Sequence, residues 1–277
     1  MALNSVNTNV GAMIALQNLQ VTNDELGTVQ SRINTGKKIA SAKDNGAIWA
    51  IAQNQRSEVS ALNAVKDSLQ RGQSATDVAM AAGESVSDLL LQLKEKALAA
   101  TDSSLNTAAR KALNEDFKSI RAQIATVVSN ASFNGVNLLN GSTGTGGFKA
   151  LSNATGSTIK IAGENMSLSG GIVTLSSTAT IGTATLANTA LTAVNTSINN
   201  VSSALARLGT GSKSLGTHLN FVAKLQDTLE AGVGNLVDAD LAKESARLQA
   251  LQTKQQLGVQ ALSIANSSTS TLLGLFR

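Results

Sequence analysis

Apolar residues recur at steps of three and four over most of this chain, the spacing that lines one face of a helix. Near the start Leu3, Val6, Val10 and Met13 set the rhythm, and Leu16 and Leu19 continue it with Asn and Gln between them. Near the end Leu241, Leu248 and Leu251 are spaced by seven and three, and Leu257, Ala261 and Ile264 by four and three, the intervals of a seam that another helix covers. From Asp44 to Ala100 Ala, Gln, Leu and Lys are abundant, which predicts a long helix entered through Ser41-Ala42-Lys43-Asp44, with Ser41 or Asp44 as its cap. Thr101 to Ser104 reads as a turn. Leu105, Leu113, Phe117, Ile120, Ile124 and Val127 then predict a second helix that returns antiparallel to the first.

Residues 141–187 break the rhythm, being rich in Gly, Ser and Thr and holding only Lys149, Lys160 and Glu164 as charges. Ile159-Lys160-Ile161 and Gly171 to Leu175 read there as short strands between turns. Helical spacing resumes near Ala190 through Leu191, Val194, Ile198, Val201, Leu205 and Leu208. It is expected to pause over Gly209–Gly216 and to continue through Phe221, Leu225 and Leu229. The predicted fold class is mainly α: long antiparallel helices in a coiled-coil-like bundle formed by the N- and C-terminal parts, with a small β-hairpin-rich central insertion.

Charge changes this picture most. Residues 1–23 and 255–276 carry none, so the two terminal helices are amphipathic yet neutral. One two-helix seam leaves much of such a surface undirected, and further copies of the chain would cover it. The net charge of +4 raises the question of nucleic acid, but the excess is thin and dispersed, and no aromatic ladder exists to stack bases. No partner of that kind is expected. The first basic residue is Arg32, too late for a cleaved signal peptide, and no run of 18 apolar residues predicts membrane insertion.

Composition removes several chemistries. The 277 residues include no Cys, no Pro and one His, which excludes a Cys/His zinc site, a disulfide framework and a thiol nucleophile. Neither Gly141–Gly147 nor Gly209–Ser214 meets the Walker spacing, since Phe148 follows the first and Ser212 precedes Lys213 in the second. His218 has no accompanying nucleophile motif and is expected to be a solvated or packed residue near a helix start. Asp238 and Asp240 lack the Gly and further oxygens of a calcium loop and suit the N-terminus of the last helix, whose dipole favours acids. Trp49, on an Ala-rich face, is read as a core or interface anchor. No cofactor, metal or enzymatic activity is expected.

Four passages then carry a family resemblance. They are Thr8-Asn9-Val10-Gly11-Ala12-Met13-Ile14-Ala15-Leu16-Gln17-Asn18-Leu19, the run Ser31-Arg32-Ile33-Asn34-Thr35-Gly36-Lys37-Lys38-Ile39-Ala40-Ser41-Ala42-Lys43-Asp44-Asn45, the run Ala131 to Gly141, and Asp238 to Glu244 with the closing Leu272 to Arg277. Over 1–140 and 188–277 the chain resembles the bacterial flagellins, in the short form found among alphaproteobacteria.

The resemblance implies a subunit of the helical filament that drives swimming, secreted to the cell exterior. It implies an N-terminal inner-tube helix and linker at 1–43, a long helical hairpin at 44–140 and a variable outward segment at 141–187. A returning helix at 188–234 and a C-terminal inner-tube helix at 235–277 complete the implied organisation. Polymer contacts are expected from Leu3, Val6, Val10, Met13, Leu16, Leu19, Leu257, Leu262, Ile264, Leu272, Leu273, Leu275 and Phe276. Neutral termini suit that role, because a tube of identical copies would otherwise stack like charges. Implied partners are other flagellin subunits, hook-associated and cap proteins, and the flagellar export apparatus with its chaperone. A chain without Cys or Pro threads such an apparatus without disulfides or slow prolyl isomerisation. The family also presents an Arg-bearing helical face to an animal innate-immune receptor; the matching positions here are Gln92, Lys94 and Glu95, of which only Glu95 is retained. A hook-filament junction protein with flagellin-like ends and a soluble helical adhesin are the alternative readings.

Overall fold

The computed structural model describes the backbone over residues 8–274 and the side chains over 8–267, residue 145 apart. Among the described residues are five α-helices: α1 (Val10–Thr35), α2 (Gly46–Ala100), α3 (Thr107–Asn130), α4 (Ala184–Val237) and α5 (Leu241–Gly274). Two antiparallel hairpins, β1 (Ser132–Phe133) with β2 (Val136–Asn137) and β3 (Phe148–Leu151) with β4 (Thr158–Ile161), lie between α3 and α4. The fold is mainly α, as the periodicity implies. It divides into two compact units, one of residues 1–57 with 228–277 and one of residues 58–227.

The 58–227 unit is a heptad bundle. In α2 Leu62, Val65, Leu69, Gly72, Thr76, Ala79, Gly83, Val86, Leu90, Leu93, Ala97 and Ala100 are buried in an unbroken alternation of three and four, with Ser68 and Ala75 buried beside them. That period of 3.5 keeps one seam of a helix facing its partners along its whole length. In α3 Asn114, Phe117, Ile124 and Val128 keep the same rhythm, and in α4 Ala187, Ala190, Val194, Ser197, Val201, Ala204 and Leu208 do. The ion pair of Lys96 with Asp116 at 3.1 Å and the bond from Arg110 Nε to the Ala100 carbonyl at 3.2 Å set α3 antiparallel to α2.

Helix starts differ from the sequence reading: α2 begins at Gly46 and α3 at Thr107, past the expected Asp44 and Leu105, while α4 begins at Ala184, ahead of the expected Ala190. Asn45, not Ser41 or Asp44, caps α2, its Oδ1 accepting the Ile48 amide at 3.1 Å. Asp44 instead closes the preceding turn by accepting the Ser41 and Ala40 amides at 2.8 and 3.0 Å. Those bonds, the Ser41 amide first, hold the Asp44 carboxyl below its ordinary range. The helix after the 101–104 turn begins at Thr107, past Leu105, with Asn106 accepting the Ala109 amide at 2.7 Å.

The larger correction concerns α4, which runs through Gly209–Gly216 without a break. Gly211 admits a neighbour rather than interrupting the helix: a Cβ there would lie 3.0 Å from Ile161 Cδ1 of β4. In α2, a Cβ at Gly72 would stand 2.7 Å from the Phe148 ring and one at Gly83 2.7 Å from Leu205. His218 therefore lies mid-helix, not at a helix start, with Nε2 2.7 Å from the Ser152 carbonyl.

Within 141–187 the strand at Ile159–Ile161 forms, paired with Phe148–Leu151. The expected strand at Gly171–Leu175 does not. Its polar backbone groups bond to side chains of α4 instead: the Thr174 amide to Ser197 Oγ at 2.9 Å, and the Ile172 carbonyl to Asn200 Nδ2 at 3.2 Å. Buried Glu164 anchors the segment by a two-pronged bond to Arg207, Oε1 to Nε at 2.7 Å and Oε2 to Nη2 at 2.6 Å. That bond raises the Arg207 guanidinium above its already high ordinary value.

Candidate functional site

In the unit of residues 1–57 and 228–277, the passages Ser31 to Asn45 and Asp238 to Glu244 meet. Gly36 ends α1 with φ at 67°, the left-handed value that favours glycine, and turns the chain back. The Lys38 amide then donates to the Val237 carbonyl at 2.7 Å and the Ala239 amide to the Gly36 carbonyl at 2.9 Å. Ile39, Ala52, Val233 and Val237 form a small core beside this bridge, with Trp49 half-buried against it. Asp240 caps α5 through the Lys243 amide at 3.1 Å, and buried Glu244 in its first turn takes Arg32 Nη1 at 3.2 Å. Among the described residues no cluster of His, Cys, Asp or Glu could hold a metal ion.

From this junction α1 and α5 run side by side. The inward positions of α1 are Ala12, Ala15, Leu19, Thr22, Leu26 and Val29, and those of α5 are Glu244, Leu248, Leu251, Gln255, Gly258, Leu262 and Ala265. Both follow the heptad alternation of three and four. Asn9 caps α1 and also donates from Nδ2 to the Ala265 carbonyl at 2.7 Å. A Cβ at Gly258 would lie 3.3 Å from Leu19 Cδ1, so glycine permits close approach there.

This seam splits the positions expected to make polymer contacts. Leu19 and Leu262 belong to the seam between the two helices. Val10, Met13, Leu16, Leu257 and Ile264 turn away from it and stay exposed, Met13 at 63% and Ile264 at 67%. Spacing by threes through 10, 13, 16 and 19 drifts around a helix by about 60° a step, which is why one apparent stripe straddles two faces. Ile14, Val21 and Val259, which periodicity did not single out, are exposed as well. Leu3, Val6, Leu275 and Phe276 lie outside the described residues, as do the side chains of Leu272 and Leu273. In α2, Gln92, Lys94 and Glu95 are all exposed, while Leu90, Leu93 and Ala97 beneath them are buried.

Residues 6–144 match the bacterial flagellin N-terminal helical region and residues 191–276 the bacterial flagellin C-terminal helical region. The chain is 61% identical to flagellin FljK of Caulobacter vibrioides over 278 residues, spanning 100% of both chains. The chain belongs to the bacterial flagellins. This flagellin is also 40% identical to a flagellin of Brucella melitensis over 281 residues, with 99% of each chain covered. Among solved structures, a Vibrio parahaemolyticus chain described as flagellar and hook-associated superposes with a TM-score of 0.58, covering 70% of this chain and 100% of that one. At 14% identity that likeness speaks to the fold alone. Full-length identity to curated flagellins makes this flagellin a structural subunit that polymerises into the extracellular flagellar filament, rather than a junction protein or an adhesin. No helix among the described residues is long and apolar enough to cross a membrane.

Proposed function

We propose that this flagellin polymerises through the outward faces of α1 and α5, in the part of the subunit whose charges are absent. One observation carries the reading: among the described residues, where large apolar side chains are otherwise mostly covered, Val10, Met13, Leu16, Leu257 and Ile264 stand exposed on a helix pair that already has its own seam. Soluble subunits rarely leave so continuous an apolar surface uncovered, and an open helical polymer needs a surface that a different surface of the next copy matches. Leu3, Val6, Leu272, Leu273, Leu275 and Phe276 extend the same pattern in the sequence. Leu19 and Leu262 act one step back, by holding α1 against α5. The subunit is structural and non-catalytic. Hook-associated and cap proteins, the export apparatus and its chaperone complete its set of partners. The exposed trio Gln92, Lys94 and Glu95 predicts weak engagement of the innate-immune receptor. Met13→Asp and Leu257→Asp test the interface, since each places a charge on a solvent-facing position of the monomer. Each variant is expected to keep the monomer's helical circular-dichroism spectrum and to fail to sediment as filaments after seeding. Normal assembly of both would overturn the assignment.

A further inference from the structure

Outside the neutral ends, two exposed charged stripes of opposite sign share one spacing. On α2, Glu84, Asp88 and Glu95 are exposed at intervals of four and seven, with exposed Leu91 and Leu98 beside them. On α5, Lys243, Arg247 and Lys254 are exposed at the same intervals, followed by exposed Leu257. Residues four and seven apart fall within about 40° of one another on a helix, so each set is one stripe. Among the described residues Glu84, Asp88 and Glu95 have no ion-pair partner, nor have Lys243 and Lys254, while Arg247 reaches Glu25 only at 3.9 Å. Lys94 and Lys96 project from other faces of α2, and Lys96 is engaged by Asp116.

The basic stripe also borders a cavity. An open groove of about 440 Å³ runs between α1 and α5, with Lys254, Leu257 and Ala261 on one wall and Ala15, Asn18 and Thr22 on the other. We propose that the α2 stripe of a second copy of this chain lies along the basic stripe of α5, parallel to it, with its Leu98 end at this groove. The pairs are Glu84 with Lys243, Asp88 with Arg247 and Glu95 with Lys254. That register sets Leu91 against Ala250 and Leu98 against Leu257, so apolar surface meets apolar surface between the charged pairs. The antiparallel register also pairs charges, Asp88 with Lys243, Glu84 with Arg247 and Asp77 with Lys254. It sets Leu257 against Ser74 and Leu91 against Asp240, and Asp77 already accepts a hydrogen bond from Ser212 at 3.3 Å. The parallel register is therefore the better match. Individually exposed pairs contribute little, but three in register select one alignment and reject its slips.

The inference rests on the filament reading and specifies one contact within it. Two charge-reversed chains test it, one carrying Lys at 84, 88 and 95 and the other Glu at 243, 247 and 254. Each should raise the critical concentration for assembly about tenfold or more, because like charges then face each other. A chain carrying all six reversals should return to within about threefold of the parent, as expected of coupled positions. A second measurement uses the absence of native cysteine. Mixed Leu98→Cys and Leu257→Cys chains should form an intermolecular disulfide on oxidation, whereas Ser74→Cys mixed with Leu257→Cys should not. Full assembly of either triple variant, no rescue in the six-fold variant, or cross-linking from position 74 in place of 98 would overturn the contact. If the parent chain itself does not sediment as filaments, the filament reading falls and this inference with it.

Discussion

Gln92 and Lys94 show how much chemistry one side chain decides. Both are exposed on α2 over a buried Leu90, Leu93 and Ala97, so the helix presents them outward. The flagellin resemblance puts Arg at both places in receptor-binding members. A guanidinium offers a planar, multi-donor fork that neither an amide nor an ammonium reproduces, and loss of a central interface anchor costs about 2 kcal/mol or more, roughly thirtyfold in affinity. Depolymerised protein is expected to be a weak agonist in a receptor-reporter assay, and Gln92→Arg with Lys94→Arg should raise the response. Potency equal to that of Arg-bearing flagellins would refute this. The same scale explains two local features. Asn134 and Gly135 both have positive φ, at 48° and 80°, the turn that an Asn-Gly pair favours in a two-residue hairpin. Asn137 then bonds outward through Nδ2 to the Val128 carbonyl at 2.8 Å and accepts the Leu139 amide at 2.8 Å, tying that hairpin to the end of α3.

At the scale of elements, the seam between α1 and α5 contrasts with that of the α2, α3 and α4 bundle. In the bundle Leu69, Leu90, Leu93, Phe117, Ile124 and Leu208 are wholly buried. Along α1 only Thr22 and Val29 are buried, and much of the remaining seam is Ala, Gly or Gln. Fixing a residue's backbone costs about 1–2 kcal/mol, and small side chains bury too little apolar area to offset much of it. Amides of 12–29 and 248–265 are therefore expected to exchange hydrogen far faster than those of 62–100 in dilute monomer, and to slow in assembled filaments, where neighbouring copies cover the exposed face. Equal protection of both regions in the monomer would show that the thin seam is sufficient by itself.

For the whole molecule, the division into two units predicts what truncation does. Residues 58–227 hold their own heptad core, with the 141–187 segment pinned by Glu164 and Arg207 and by the bond between Arg121 and the Ala179 carbonyl. Removal of 255–277 deletes Leu257, Leu262 and Ile264 and leaves that core untouched. The truncated chain is expected to show no filaments by electron microscopy while retaining a cooperative thermal unfolding transition. Filaments of normal length from it would locate the assembly surface elsewhere.

Much of this was written in the sequence because helices are local. A period near 3.5, without proline to interrupt it, implied the long helices and the bundle. The neutral charge pattern marked the ends as special, while the Asn-Gly pair at 134–135 carried a hairpin signal that the periodicity passed over. Tertiary structure alone decided the rest, since it depends on which groups meet across distance. Gly211 looks like a break until Ile161 of β4 is found packed close to α4. Gly171 to Leu175 has the composition of a strand, yet Ser197 and Asn200 of α4 satisfy its backbone first. The series 10, 13, 16 and 19 reads as one stripe until packing against α5 covers Leu19 and leaves Met13 and Leu16 bare. Periodicity limits which faces a helix can bury; the partner that arrives determines which of them it does.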